Sequence, residues 1–162
     1  MMNDVKIKTI KAEPDASSMI ETFRAIGYSM ETAIADVIDN SISAEAKNIW
    51  INYNWKGGET IISIRDDGVG MNGEELIQAM RPGSKHPSDE RSNSDLGRFG
   101  LGLKTASFSQ TRKFSAISKK RDFNTIFWAW DLDHVNETKS WELIQYVPSL
   151  EFVKEIDNQV SG

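Results

Sequence analysis

The sequence predicts an α+β two-layer sandwich, with helices on one face of a mixed, mostly antiparallel sheet. Three observations carry this reading. Helical and strand periodicities follow one another as helix, helix, strand, strand, helix, helix and three further strands, which suits a layered α+β domain. The first two strand-like runs flank a Gly-Gly turn, as in a hairpin. The 162 residues, 39% hydrophobic and 27% charged, suffice for one packed core.

The elements can be justified in order. Residues 1–15 are polar and read as an arm or an edge strand. In 16–27, Met19, Ile20, Phe23 and Ile26 share one helical face. In 29–44, Ile34, Val37, Ile38 and Ile42 recur at helical spacing and define a stronger helix. KNIWINYN alternates as a half-buried strand, Lys56-Gly57-Gly58 turns, and ETIISIRD returns. The glycine-rich DDGVGMNG follows, and Asn72 with Glu75 three residues later forms a capping-box start to the helix EELIQAM. Residues 81–97 are rich in Gly, Pro and Ser and read as a lid or a disordered segment. GRFGLGLKTASFSQ opens on glycines and continues as a helix, and RKFSAISK, FNTIFWAWDL and SWELIQYV read as three strands. Residues 151–162 start a helix or linker without a terminus signal, so the chain is expected to be cut from a longer protein. The domain proper is thus expected at 16–150.

Composition excludes several chemistries. With no cysteine there is no disulfide, thiolate metal site or Cys nucleophile, which fits a reducing compartment. The 2 histidines, His86 and His134, leave little for imidazole chemistry. No apolar run approaches the ~18 residues of a membrane span, and the first residues are too polar for a signal peptide. A soluble cytoplasmic domain, with no membrane partner, is the expectation. Net charge is −5, but residues 97–121 carry Arg98, Lys104, Arg112, Lys113, Lys119, Lys120 and Arg121 and no carboxylate. An anionic ligand is expected to sit against such a stretch.

Two glycine motifs are decoys. Gly68-Val-Gly70-Met-Asn-Gly73 spells a dinucleotide fingerprint, yet the acidic partner position falls at Asp89-Glu90 in the polar lid, away from any strand. Gly97 to Thr105 approaches a P-loop, but Leu103 intrudes before Lys104 and turns the lysine about 100° around the helix. The glycines at 97, 100 and 102 still let backbone N–H groups approach a phosphate at a helix start, with Lys104 and Arg98 adding charge. Asp66 must then serve something else; a buried carboxylate there suits an exocyclic amine, such as that of adenine. Asp36 and Asn40 lie one turn apart on one helical face, a pairing that can hold a divalent ion and polarise a water.

Taken together and in this order, IADVIDNSISAEAKNI, RDDGVGM and GRFGLGLKTAS resemble the three boxes of the GHKL superfamily of ATPases, which groups gyrase, heat-shock chaperones, histidine kinases and MutL. The wording is most similar to the MutL and MORC-type branches, over roughly residues 16–120. The resemblance implies a Bergerat-type fold with an ATP lid at 81–96. It also implies roles for single residues. Asn40 binds Mg²⁺ bridging the ATP phosphates, and Asp66 bonds the adenine amino group. Gly68 and Gly70 let the backbone pass the base, with Met71 against its face. Gly97, Arg98, Phe99, Gly100, Leu101, Gly102 and Lys104 form the phosphate loop, which Ser84 and Lys85 reach when the lid closes. Asp36 is the general base, and Thr125 is a candidate for the late-strand threonine near adenine.

Two positions depart from the pattern. Asp36 stands where hydrolytic branches carry Glu, which puts its carboxylate about 1–1.5 Å further from the attacking water and can slow the step on the order of 10²-fold. Ser43 replaces a frequent Asp. The resemblance therefore implies a slow Mg-dependent ATPase whose closure drives homodimerisation, acting on DNA by family analogy and nucleoid-associated in that case. The alternative is a nucleotide-binding regulatory module that does not hydrolyse.

Overall fold

A computed structural model describes residues 9–25, 27–55, 57–82 and 102–145. Helix α1 (Ala16–Ala25) starts where Asp15 Oδ1 accepts the Ser18 backbone N–H at 2.8 Å, and it buries Ala16 and Ile20. Helix α2 (Met30–Ser43) is capped by Ser29, whose side chain accepts from the Thr32 N–H. Strands β1 (Ile49–Asn54) and β2 (Ile61–Asp66) form the expected antiparallel hairpin, in register from Ile49 opposite Asp66 to Asn54 opposite Ile61. A single 3₁₀ turn, Gly57–Glu59, links them.

Helix α3 (Gly73–Met80) begins with the full capping box: Asn72 accepts from the Glu75 N–H at 3.0 Å and Glu75 accepts from the Asn72 N–H at 2.8 Å. Helix α4 (Gly102–Gln110) leads into β3 (Lys113–Ser118), which pairs antiparallel with β4 (Ile126–Asp131). Helix α5 (Leu132–Thr138) follows β4 directly.

Helices combined with antiparallel strands make the α+β class, with two adjustments. Among the described residues the four strands form two two-stranded sheets, β1–β2 and β3–β4, instead of one continuous sheet. The run expected as a last strand contributes an isolated bridge in which Ile144 and Ala129 exchange backbone bonds of 2.8 and 2.9 Å; its remainder, from residue 146, lies outside the described residues.

Helix α5 takes a stretch whose opening leucine belonged to the expected FNTIFWAWDL strand. Asp131 explains the switch. It ends β4 and caps the next helix, its Oδ1 accepting from the N–H groups of Asp133 and His134, so the chain turns while Leu132 and Val135 stay buried.

The core lies where α1, α3, α4, α5 and the β3–β4 pair converge. Phe108 of α4 is its centre. Its ring stacks on Phe23 and meets Phe114 and Trp130 edge-on, at centroid distances of 6.3, 5.3 and 5.8 Å. Trp130 buries its indole and donates Nε1–H to the Met80 carbonyl at 3.0 Å, which ends α3 against β4. Arg24 of α1 reaches the far end of α4 and donates to the carbonyls of Phe108 and Thr111 at 2.7 and 3.1 Å. Helix α2 packs mainly on α4 and touches β2 more lightly. That position sets α2 between the core and the glycine-rich loop.

Candidate functional site

The site is built on α2 and on the loop that leaves β2. Asp36 and Asn40 occupy successive turns of α2, and Asn40 Nδ2 donates to the Asp36 backbone carbonyl at 2.9 Å. That bond presents the Asn40 carbonyl oxygen outward from an exposed side chain. An oxygen donor so placed fits a hard divalent cation sharing its remaining ligands with phosphate oxygens. Among the described residues no three His, Cys, Asp or Glu side chains converge on a metal-sized site. Asp36 is half-buried. Burial, and then the Asp36 charge, push the Tyr28 phenol above its ordinary value.

One residue beyond Asn40, the buried Ser41 donates its hydroxyl to Asp66 Oδ2 at 2.9 Å. Asp66 Oδ1 in turn accepts the Gly68 N–H at 2.9 Å. Asp66 is therefore tied to helix and loop at once, though it is exposed and not buried as expected, because it ends β2 at the rim of the hairpin. Val69 N–H donates to the Ala44 carbonyl at 2.9 Å, pressing the loop onto the end of α2. A side chain at position 68 would come within 2.7 Å of that same carbonyl, so glycine is required there by space. Gly70 is required by conformation as well: its φ is +67°, and a Cβ would overlap the Lys119 carbonyl. Met71 N–H donates to Ser118 Oγ at 2.7 Å, and its side chain packs on the core cluster.

Asp67 has a different job from its neighbour. It accepts the Lys47 and Asn48 N–H groups at 2.7 and 2.9 Å and the Asn48 side-chain amide at 2.7 Å. The Asn48 hydrogen bonds, aided by Lys47, hold its carboxyl below the ordinary carboxylate range. Thus Asp67 anchors the α2–β1 connection, while Asp66 ties the end of α2 to the Gly68 loop.

The basic stretch is not the uniform anion-facing surface that its charge suggests. Lys120 pairs with Glu75, Arg112 with Asp133 at 2.7 Å, and Lys113 with Asp131 at 2.7 Å. Carboxylates distant in sequence neutralise these cations, and Lys120 helps hold the Glu75 carboxyl below its usual value, ahead of the Asn72 backbone. Thr125 is half-buried immediately before β4, and the next residue, Ile126, packs over Gly73. Gly102 opens α4 and Lys104 lies in its first turn. Ser84, Lys85, Gly97, Arg98, Phe99, Gly100 and Leu101 lie outside the described residues.

The Ser41–Asp66 and Ala44–Val69 bonds thus bring Asp66 and the Gly68 loop against the C-terminal end of α2, the helix that carries Asp36 and Asn40, while Gly70 and Met71 lie against Lys119 and Ser118. Sequence reasoning passed over Tyr28, Ser41, Asp67 and Ser118 in this cluster. Ser41 and Asp67 adjoin motif residues, whereas Tyr28 and Ser118 carry no local signal.

Residues 28–162 match the family described as histidine kinase-, DNA gyrase B-, and HSP90-like ATPase. The chain belongs to this family. It is 33% identical over 89 residues to the ATPase morc-1 of Caenorhabditis elegans, covering 55% of this chain and 10% of that protein. It is 30% identical over 115 residues to the DNA mismatch repair protein MutL of Dictyoglomus turgidum, covering 68% and 20%. MutL of Clostridium perfringens is 33% identical over 97 residues, covering 57% and 14%. This chain of the GHKL family therefore spans between about a tenth and a fifth of these relatives' length. Among its described residues no helix is long and apolar enough to cross a membrane.

Proposed function

We propose that the chain binds Mg-ATP along α2 and the β2 loop and hydrolyses it slowly, with residues 16–150 forming the ATP-binding domain. The observation that carries this reading is the Ser41–Asp66 hydrogen bond of 2.9 Å, which joins the acidic end of the glycine loop to the helical turn bearing Asn40. Asp66 accepts from the adenine amino group. Gly68 and Gly70 keep the loop backbone bare beside the base, and Thr125 and Met71 flank it. Gly97, Arg98, Phe99, Gly100, Leu101, Gly102 and Lys104 surround the phosphates, joined by Ser84 and Lys85. Asn40 holds Mg²⁺, which when bound neutralises phosphate charge and orients the γ-phosphoryl group. Asp36 accepts a proton from a water as its oxygen bonds to the γ-phosphorus. The bond to the β–γ bridging oxygen breaks, giving ADP and phosphate.

Lid closure over residues 81–96 and pairing of two chains through the 1–15 arm would convert that cycle into motion, with 151–162 leading into a following segment. By analogy with the DNA mismatch repair protein MutL, DNA is the substrate of that motion, in the cytoplasm or on the nucleoid. Calorimetric titration tests the site: ATP with Mg²⁺ releases heat on binding wild type and binds Asp66→Ala at least about tenfold more weakly. Equal affinity for both proteins sinks the assignment. Turnover tests the chemistry, since Asp36→Ala should abolish it. Equal rates for wild type and Asp36→Ala, with dimer and DNA present, leave the second reading, a non-hydrolysing regulatory module, which the shorter reach of Asp36 favours.

A further inference from the structure

The glycine loop after β2 is held on its two sides by different parts of the fold. Its entry rests on the α2–β1 connection: the Asp67 N–H donates to the Asn48 carbonyl at 3.3 Å and the Val69 N–H to the Ala44 carbonyl at 2.9 Å. Its exit rests on three consecutive residues where β3 ends. The buried Ser118 offers Oγ to the Met71 N–H at 2.7 Å. The Lys119 carbonyl lies so close to Gly70 that a Cβ there would come within 2.0 Å of it. Lys120 pairs with one oxygen of Glu75, and the other oxygen accepts the Asn72 N–H. Ile126, the β4 partner of Ser118, packs over Gly73. Positions 70, 71 and 73 thus meet the end of the β3–β4 pair directly, and position 72 meets it through Glu75.

We propose that Ser118 is a positioning residue for the nucleotide base, its hydroxyl setting the loop exit so that Met71 and the bare backbone at Gly70 keep the shape that receives a planar purine. This rests on the reading of Asp66 and the glycine loop as the adenine site. A half-buried backbone N–H left without an acceptor costs free energy comparable to a lost hydrogen bond, so the loop keeps this exit only while position 118 carries a hydroxyl. Gly70 does not hold the exit by itself: glycine enters a φ of +67° easily and leaves it as easily, having no Cβ. The Lys120–Glu75 pair is exposed, and solvent makes such a pair a weak restraint. The buried hydroxyl is therefore the contact that decides the shape. Setting that shape before the ligand arrives removes an ordering cost from binding. The effect falls on affinity, equally for ATP and ADP, which share the base.

The test uses the full-length protein with Ser118→Ala, Ser118→Thr and Lys120→Met, reading amide hydrogen exchange without ligand and calorimetric affinity for Mg-ATP and Mg-ADP. Ser118→Ala should speed exchange of the Met71 amide about tenfold while the Phe108 amide keeps its wild-type rate. It should weaken ATP and ADP by the same factor, about tenfold. Ser118→Thr keeps the hydroxyl on a residue that strands favour, and should restore both exchange and affinity. Lys120→Met should change either affinity less than about threefold. Wild-type affinity in Ser118→Ala overturns the proposal. So does a loss that threonine does not restore, or faster exchange at Met71 and Phe108 alike, either of which would make the serine a packing residue. Unchanged Met71 exchange overturns it without reference to any nucleotide. If wild type takes up no ATP, or Asp66→Ala binds as wild type does, the parent reading falls and takes this proposal with it, even where Met71 exchange responds.

Discussion

Around Phe108, the buried ring of Trp130 and the partly buried rings of Phe23 and Phe114 join α1, α4, β3 and β4 in one aromatic cluster, whereas the loop after β2 is held by hydrogen bonds that its backbone N–H groups donate. The hairpin behind that loop resembles neither, leaving Ile51, Tyr53, Trp55 and Ile61 exposed. Burial of apolar surface is the dominant favourable term in folding, while a typical hydrogen bond contributes about 0.5–1.5 kcal/mol net. Stability therefore concentrates in the first region. In the second, each bond acts chiefly on shape.

Substitutions at the two places should separate these roles. Phe108→Ala should have the largest effect, costing about 3–5 kcal/mol by urea unfolding, because three ring neighbours lose their partner at once. Gly70→Ala should cost about 1–3 kcal/mol through its φ of +67° and its overlap with the Lys119 carbonyl. Unlike Phe108→Ala, it should also weaken ATP binding in calorimetry under conditions where the protein remains folded. A global loss without a binding defect would merge the two regions.

Acid should act on the hydrogen-bonded region. Asp67 and Glu75 are depressed by their partners in the folded state, so the native protein binds fewer protons than the unfolded chain. Their contribution is complete above the unfolded values near 4 and is lost as pH falls through the lower folded ones. The urea midpoint should therefore drop as pH falls from about 5 toward 2, and less steeply in Asp67→Asn. The smallest effect is expected at Trp55, which is 81% exposed. Trp55→Ser should change stability by no more than about 0.5 kcal/mol, and a larger loss would show that the hairpin has a buried face under the assay conditions.

What could be read from sequence divides along the same line. Helix α2, the hairpin and the Asn72–Glu75 capping box are periodic or local signals and appear in the structure, although α2 buries Ala33 and Ser41 and leaves Ile42 of its expected stripe exposed. Helix α5 was hidden because Asp131 both closes a strand and caps a helix, so the apolar run gives no warning of the switch. The paired cations at 112, 113 and 120 were equally hidden: Arg112 and Lys120 find their carboxylates 21 and 45 residues away. Charge along the chain does not reveal such pairing. The candidate site was legible as motifs, while the contacts that assemble it were not. Ser41–Asp66 spans 25 residues and Met71–Ser118 spans 47.

The Arg24 contacts have a mechanical consequence for α4. Because the guanidinium holds the carbonyls of Phe108 and Thr111, and Gln110 is bonded to Tyr28, the helix is pinned at its foot. Residue 102 lies eight residues up, about 12 Å along the axis. The C-terminal end of α4 is thus tied both to α1 and to the residue that precedes the α2 cap, so one short stretch of chain fixes the spacing of three helices.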